Sequence, residues 1–215
     1  MDAFARCSGT RQIGTPASAH ASTVAMTSSE VFRRITTALE QAGVAYMLSG
    51  SFASAYHGAP RSTQDIDIVI AANPEQLRTF VWSLPSGEYY ADLDAALEAQ
   101  TRQSLFNVID LATGWKIDLI IRKSRAFSQE EFARRQLVNV QGLPLFVASA
   151  EDVVIAKLEW SKLAQSQRQI EDVAAILRLR WEVLDGSYLE RWISELDLKQ
   201  EWSNAKRMAE IAEST

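Results

Sequence analysis

The chain has 215 residues, 47% hydrophobic and 23% charged, with a net charge of −5 at neutral pH. That balance belongs to a folded domain rather than a disordered one, and a chain this long buries roughly 70% of its unfolded surface without staples. One cysteine (Cys7) and two histidines (His20, His57) exclude an internal disulfide framework and a conventional structural zinc site. No apolar run approaches the ~20 residues of a membrane-spanning helix, and no continuous apolar signal core opens the chain, so the expectation is a cytoplasmic protein with no membrane partner. The acidic balance excludes a surface that is basic throughout, though not a local basic groove.

Residues 1–26 are rich in Ala, Ser, Thr and Gly without clear periodicity and read as a disordered extension. Thr27-Ser-Ser-Glu30 has the form of a capping box, followed by an apolar stripe at Val31, Phe32, Ile35 and Leu39 and a stop at Gly43. Val44–Ser49 reads as a buried strand, Gly50-Ser51 as a turn, and the stretch through His57 as a short helix. Asp65–Ile70 alternates and is rich in β-branched residues, which predicts a second strand. Asn73-Pro74 is a helix start whose Leu77, Phe80, Val81 and Leu84 face inward. Leu105–Leu111 and Trp115–Ile121 flank Ala-Thr-Gly and form a hairpin; Leu137–Val140 and Leu145–Val147 form another strand pair. Segments 149–164, 168–180, 187–195 and 198–212 carry apolar residues at helical spacing. The expected architecture is α+β: a mixed sheet flanked by helices over 27–148, and a C-terminal helical region over 149–215.

The chemistry concentrates in acidic residues. Alternate strand positions share a face, so Asp65 and Asp67 project together while Ile66 and Ile68 enter the core. Two carboxylates ~6 Å apart repel by roughly 3 kcal/mol at an effective dielectric near 20. A bridging hard cation, Mg2+ or Mn2+, reverses that sign and retains sites for phosphate oxygens. Upstream, Gly50-Ser51 between a strand and a helix offers backbone amides and a positive helix end to a phosphate. Thirteen residues separate Ser51 from Asp65, enough for the short helix to return both features to one cleft. A third carboxylate in an apolar strand completes the set; the residue pattern leaves Asp118 and Asp110 open for that place. In the loop before Asp65, Arg61 and Thr63 stand where they could touch a triphosphate, and His57 reads as structural or exposed.

Gly50-Ser51, the gap, Asp65-Ile-Asp67 and a later strand aspartate resemble the nucleotidyltransferase superfamily related to DNA polymerase β. Within it, Phe106–Leu119 and Glu151–Leu158 are similar to the minimal abortive-infection (AbiEii-type) branch, which includes type IV toxins; the resemblance covers about residues 30–180. It implies a nucleotidyltransferase-like core over 27–148, with Asp118 rather than Asp110 as third carboxylate. It further implies that Asp65, Asp67 and Asp118 are catalytic metal ligands, and that Gly50 and Ser51 hold phosphates. By the same resemblance, Lys157 contacts nucleotide phosphates and Asp172 lies near the site. The activity so implied is transfer of a nucleoside monophosphate (NMP) from a triphosphate (NTP) such as ATP to a hydroxyl on transfer RNA, a protein or a small molecule, with an antitoxin as a further partner. A catalytically idle nucleotide-binding or regulatory module of the same fold is the alternative.

Overall fold

The structure, a computed structural model, describes residues 17–140 and 142–211, with side chains from residue 29 onward. In chain order the elements are α1 (Ala17–Gln41), β1 (Ala45–Leu48), α2 (Gly50–His57), β2 (Asp65–Ala71), α3 (Pro74–Ser83), β3 (Tyr89–Ala91), α4 (Leu93–Arg102), β4 (Leu105–Asp110) and β5 (Lys116–Ile121). They continue with α5 (Ala126–Ala133), β6 (Gln136–Val140), β7 (Leu143–Val147), α6 (Ala150–Ala164), α7 (Gln167–Arg180), α8 (Gly186–Glu195) and α9 (Lys199–Ala209).

The strands form one seven-stranded mixed sheet in the order β3-β4-β5-β2-β1-β7-β6. Only β2–β5 and β1–β7 pair in parallel; the other neighbours are antiparallel. Strand alternation separates the two faces of β2, β4 and β5. Ile66, Ile68 and Ile70, Phe106 and Val108, and Ile117, Leu119 and Ile121 form a fully buried row. The opposite row, including Asp67, Asn107, Asp118 and Ile120, is only partly covered. The expected stripe of α1 is buried throughout, as are Leu77, Phe80 and Val81 of α3. Asn73 and Gln76 form a reciprocal capping box at the start of α3, with Pro74 at its first turn.

One expectation changes and one gap is filled. Residues 1–16 of the disordered extension lie outside the described residues, but α1 already begins at Ala17, so Thr27 is inside the helix rather than its cap. Glu30, the acidic partner of that box, instead pairs with Arg33 and Arg34 one turn ahead. The stretch 85–104, for which the sequence supplies no assignment, holds β3 and α4. The buried stripe of α4 is built from Ala96 and Ala99, too weakly apolar to announce itself, and β3 spans only three residues. Asp92 caps α4 by accepting hydrogen bonds from the Asp94 and Ala95 amides.

Candidate active site

The β2–β5 register brings the acidic residues together. Asp67 lies directly opposite Asp118 in parallel pairing, and Asp65 opposite Lys116, so all four project from one face. Asp110, the competitor, sits on the other face. It is buried and its Oδ1 accepts hydrogen bonds from the Ala112 and Thr113 amides, which shapes the β4–β5 turn.

Gly50 fixes the approach of α2 to this face. Its φ is +58°, in the left-handed region, and an added Cβ would lie 2.7 Å from Asp67 Cβ and overlap the Asp67 carboxylate. The Ser49 amide donates to the Asp67 carbonyl at 2.9 Å, tying the strand end to β2. Ser49 makes no side-chain cap; in the first turn of α2 the Ser51 amide donates to the Asp67 carboxylate and the Ala53 amide to the Ser49 carbonyl. Burial, and then the neighbouring Asp118 charge, push the Asp67 carboxyl above the usual carboxylate range; the Ser51 backbone N–H opposes that shift.

Among the described residues, no group of three or more His, Cys, Asp and Glu side chains is set closely enough to hold a metal ion by itself. The close pair is Asp67–Asp118, and Asp118 acts on Asp67 more strongly than Asp65 does. The Lys116 ammonium lies 3.1 Å from Asp118 Oδ2 and 3.5 Å from the exposed Asp65 Oδ1. A side chain of the protein therefore relieves part of the repulsion, which the sequence alone assigns wholly to a cation. Asn107, opposite Asp118 on β4, donates its amide N–H to Asp118 Oδ1. The donor set still fits a divalent ion: hard carboxylate oxygens, one pair already adjacent, at the N-terminal end of a helix.

Basic groups line the other wall of a 230 Å³ cleft that includes Gly50, Ser51, Arg61, Asp67, Asp118, Lys157 and Gln169. Lys157 is buried on α6; its Nζ donates to Asp172 Oδ2 at 2.7 Å and Gln169 Oε1 at 2.9 Å. Burial pulls its pKa below the ordinary lysine value, against the pull of Asp172. Arg61 donates to Ser51 Oγ and lies 3.2 Å from Asp172 Oδ2. Asp172 pairs with Lys157 and Arg61 and orients these groups from outside the cleft wall. Thr63 is not brought into the cleft: its Oγ1 accepts from the Asp65 amide at 3.2 Å and shapes the entry to β2. His57 is buried, its Nε2 2.7 Å from the Ala148 carbonyl, which bears out the structural reading. Sequence reasoning missed Lys116, Asn107 and Gln169 as site residues. The alternation along β5 carried the signal for Lys116, whereas Asn107 and Gln169 require the register and the α6–α7 packing.

A second cavity of 570 Å³ adjoins this cleft and shares Ser49, Leu105, Ile120, Ala156 and Trp160 with it. Glu131 of α5 lines it, only 7% exposed and without a hydrogen-bond partner among the described residues. Burial, reinforced by Asp152 and Glu159 and opposed by Arg125 and Lys123, pushes its carboxyl up to about 8. Its folded pKa exceeds the unfolded one, so the chain loses stability as pH rises between about 4.5 and 8, with a slope of up to about 1.4 kcal/mol per unit. Thermal melts of Glu131→Gln and the parent across pH 4–9 check this. The melting difference should move in favour of the glutamine variant through that window and level off above it; a constant difference would contradict it.

A solved structure of the antibiotic-resistance factor ANT(2″)-Ia aligns at a TM-score of 0.52 and 14% identity, covering 85% of this chain and 96% of that one. An antigenic nucleotidyltransferase-like protein from Paracoccidioides brasiliensis aligns at 0.42 and 15%, covering 80% and 89%. JHP933 from Helicobacter pylori aligns at 0.34 and 15%, covering 83% and 88%. No curated protein matches. At these identities the first likeness speaks to the fold alone, which is nucleotidyltransferase-like. Residues 30–212 match the family model described as nucleotidyltransferase of unknown function, DUF6036, and the chain belongs to that family.

Proposed function

We propose that the protein is an active, metal-dependent nucleotidyltransferase that moves an NMP unit from an NTP to a hydroxyl acceptor. The observation that carries this reading is the Asp67–Asp118 pair at one register position, facing the Ser51, Arg61 and Lys157 wall across a single cleft.

Asp67 and Asp118, with Asp65 at the edge of the cleft, would hold divalent cations, which would supply Lewis-acid polarisation of the α-phosphate and of the attacking oxygen. The residues do the rest. Gly50 allows the backbone to approach, and the first-turn amides of α2 with Ser51 Oγ hold the β- and γ-phosphate oxygens. Arg61 and Lys157 offset the charge that grows on pyrophosphate as it leaves, both oriented by Asp172. Asp118, oriented by Asn107, stands on the β4 side of Asp67, where it takes the acceptor proton. The acceptor oxygen forms a bond to the α-phosphorus, the bridging bond to the β-phosphate breaks, and pyrophosphate departs.

The test is label transfer from radiolabelled NTPs to cell extract with magnesium. The parent protein should label acceptor, and Asp65→Ala combined with Asp67→Ala should not; equal labelling by the double variant overturns the reading. A toxin role is supported by the resemblance of Phe106–Leu119 and Glu151–Leu158 to the abortive-infection branch. Growth arrest on expression that needs Asp67 and is relieved by a neighbouring gene would support it.

A further inference from the structure

We propose that the 570 Å³ cavity beside the catalytic cleft is the acceptor site, and that it takes a small hydroxylated amine whose ammonium pairs with Glu131. This rests on the transferase reading above and names its substrate class.

The position comes from strand parity. Asp67, Asp118 and Asn107 form one row across β2, β5 and β4. Val69, Ile120 and Leu105 form the next row on the same face, two residues on along β2 and β5, and they line the cavity. A molecule resting there can direct a hydroxyl at Asp118 and the α-phosphorus without leaving the protein. Helix α6 contributes to both spaces: Lys157 lines the cleft, Glu159 and Leu163 the cavity, Trp160 both.

The size and lining point to a small molecule. The volume lies within the roughly 300–1,000 Å³ of small-molecule pockets, and the lining combines apolar side chains with the charges of Arg122, Lys123, Arg125, Glu131 and Glu159. Trp160 and Leu163 are exposed apolar side chains at its border, suited to the carbon face of a ring.

The charge comes from Glu131. Arg125 does not satisfy it, because both terminal nitrogens of Arg125 bind the Glu159 carboxylate at 2.6 Å, and its Nε donates to Ser128. Asp152 is held by Ser149, Arg134 and Tyr188, Lys123 is exposed, and Arg122, which also lines the cavity, lies over the Phe132 ring rather than on Glu131. A carboxyl this little exposed, with no hydrogen-bond partner among the described residues, is poorly solvated when ionised. An ammonium recovers most of that lost solvation, since a charge-assisted hydrogen bond is about twice as strong as a neutral one. A hydroxyl on the same ligand then loses its proton as its oxygen joins the α-phosphorus and pyrophosphate leaves.

The experiment uses the full chain, magnesium, the four NTPs and matched probes: glucosamine with glucose, the glucosamine disaccharide with cellobiose, and an aminocyclitol with inositol. Mass spectrometry reads the nucleotidylated products. At least one amino probe should react tenfold or more faster than its deaminated partner. Glu131→Gln should reduce that rate at least tenfold with NTP binding unchanged. Because Leu163 is exposed, Leu163→Arg should obstruct the cavity without unfolding the chain and give the same loss. Calorimetry at pH 7 in buffers of different ionisation enthalpy should show close to one proton released per amino probe bound, and none in Glu131→Gln. Equal reaction of both members of every pair, no reaction with any probe, or indifference to Glu131→Gln overturns the proposal. Labelling of RNA or protein alone would overturn it while leaving the transferase reading standing; absence of NTP binding would instead sink the transferase reading.

Discussion

Asp67→Asn is expected to lower nucleotidyl transfer by about 1,000-fold, equivalent to ~4 kcal/mol of transition-state stabilisation, while raising the thermal midpoint. The loss follows from removing one of the paired carboxylates. The gain follows from the same geometry: Asp67 is largely buried, directly opposite Asp118, and its carboxyl is pushed above the ordinary range. Asparagine keeps the shape and an oxygen for the Ser51 amide but removes the repulsion. Lys157 loses some attraction in exchange, so the net gain is about 1 kcal/mol, or ~2–4 °C for a domain of this size. The sign can be checked against pH. An Asp whose folded pKa is raised destabilises increasingly as pH rises above its unfolded value near 4, so the advantage of the variant should shrink in acid. A variant that keeps more than a tenth of the activity, or that melts lower than the parent at neutral pH, would contradict the assignment.

Gly50→Ala should be inactive for a different reason, with a loss of roughly 3 kcal/mol in stability, or about 6–12 °C in melting temperature. Left-handed φ costs an L-residue ~1–2 kcal/mol, and overlap with Asp67 adds ~1–3 kcal/mol. The two contributions separate in a double variant. Asp67→Gly removes both the carboxylate and the Cβ that the new methyl meets, so it should restore about half of the lost stability in the Gly50→Ala background. No rescue would mean that backbone conformation alone sets the cost. Differential calorimetry of the four proteins decides it.

Much of the fold is legible in one dimension because its signals are local. Asn73-Pro74 opens α3 as its cap chemistry dictates, and the period-2 run Asp65–Ile70 becomes β2. Thr27 fails for a tertiary-independent reason: the alanine-rich stretch ahead of it is itself a good helix former, so a cap signal does not start what has already begun. The α4 and α5 segments were not legible, since an alanine stripe and a two-turn helix carry little periodicity.

The sequence by itself determined which residues could carry chemistry: the Asp65/Asp67 alternation, a glycine where a strand meets a helix, and a further acid within an apolar strand. Those are properties of neighbours along the chain. Tertiary structure decided which acids meet. Register set Asp118 beside Asp67 and turned Asp110 to the buried face, because a single-residue shift in a strand reverses every side chain. It also delivered Lys116 between Asp65 and Asp118, and set Asp172 against Lys157. Glu131 was invisible in the sequence for the same reason: only packing against α6 reveals that a glutamate on a short helix is buried and beside the candidate cleft. Local propensity acts over one or two turns, whereas charge and burial depend on distance in space, and folding alone supplies that distance.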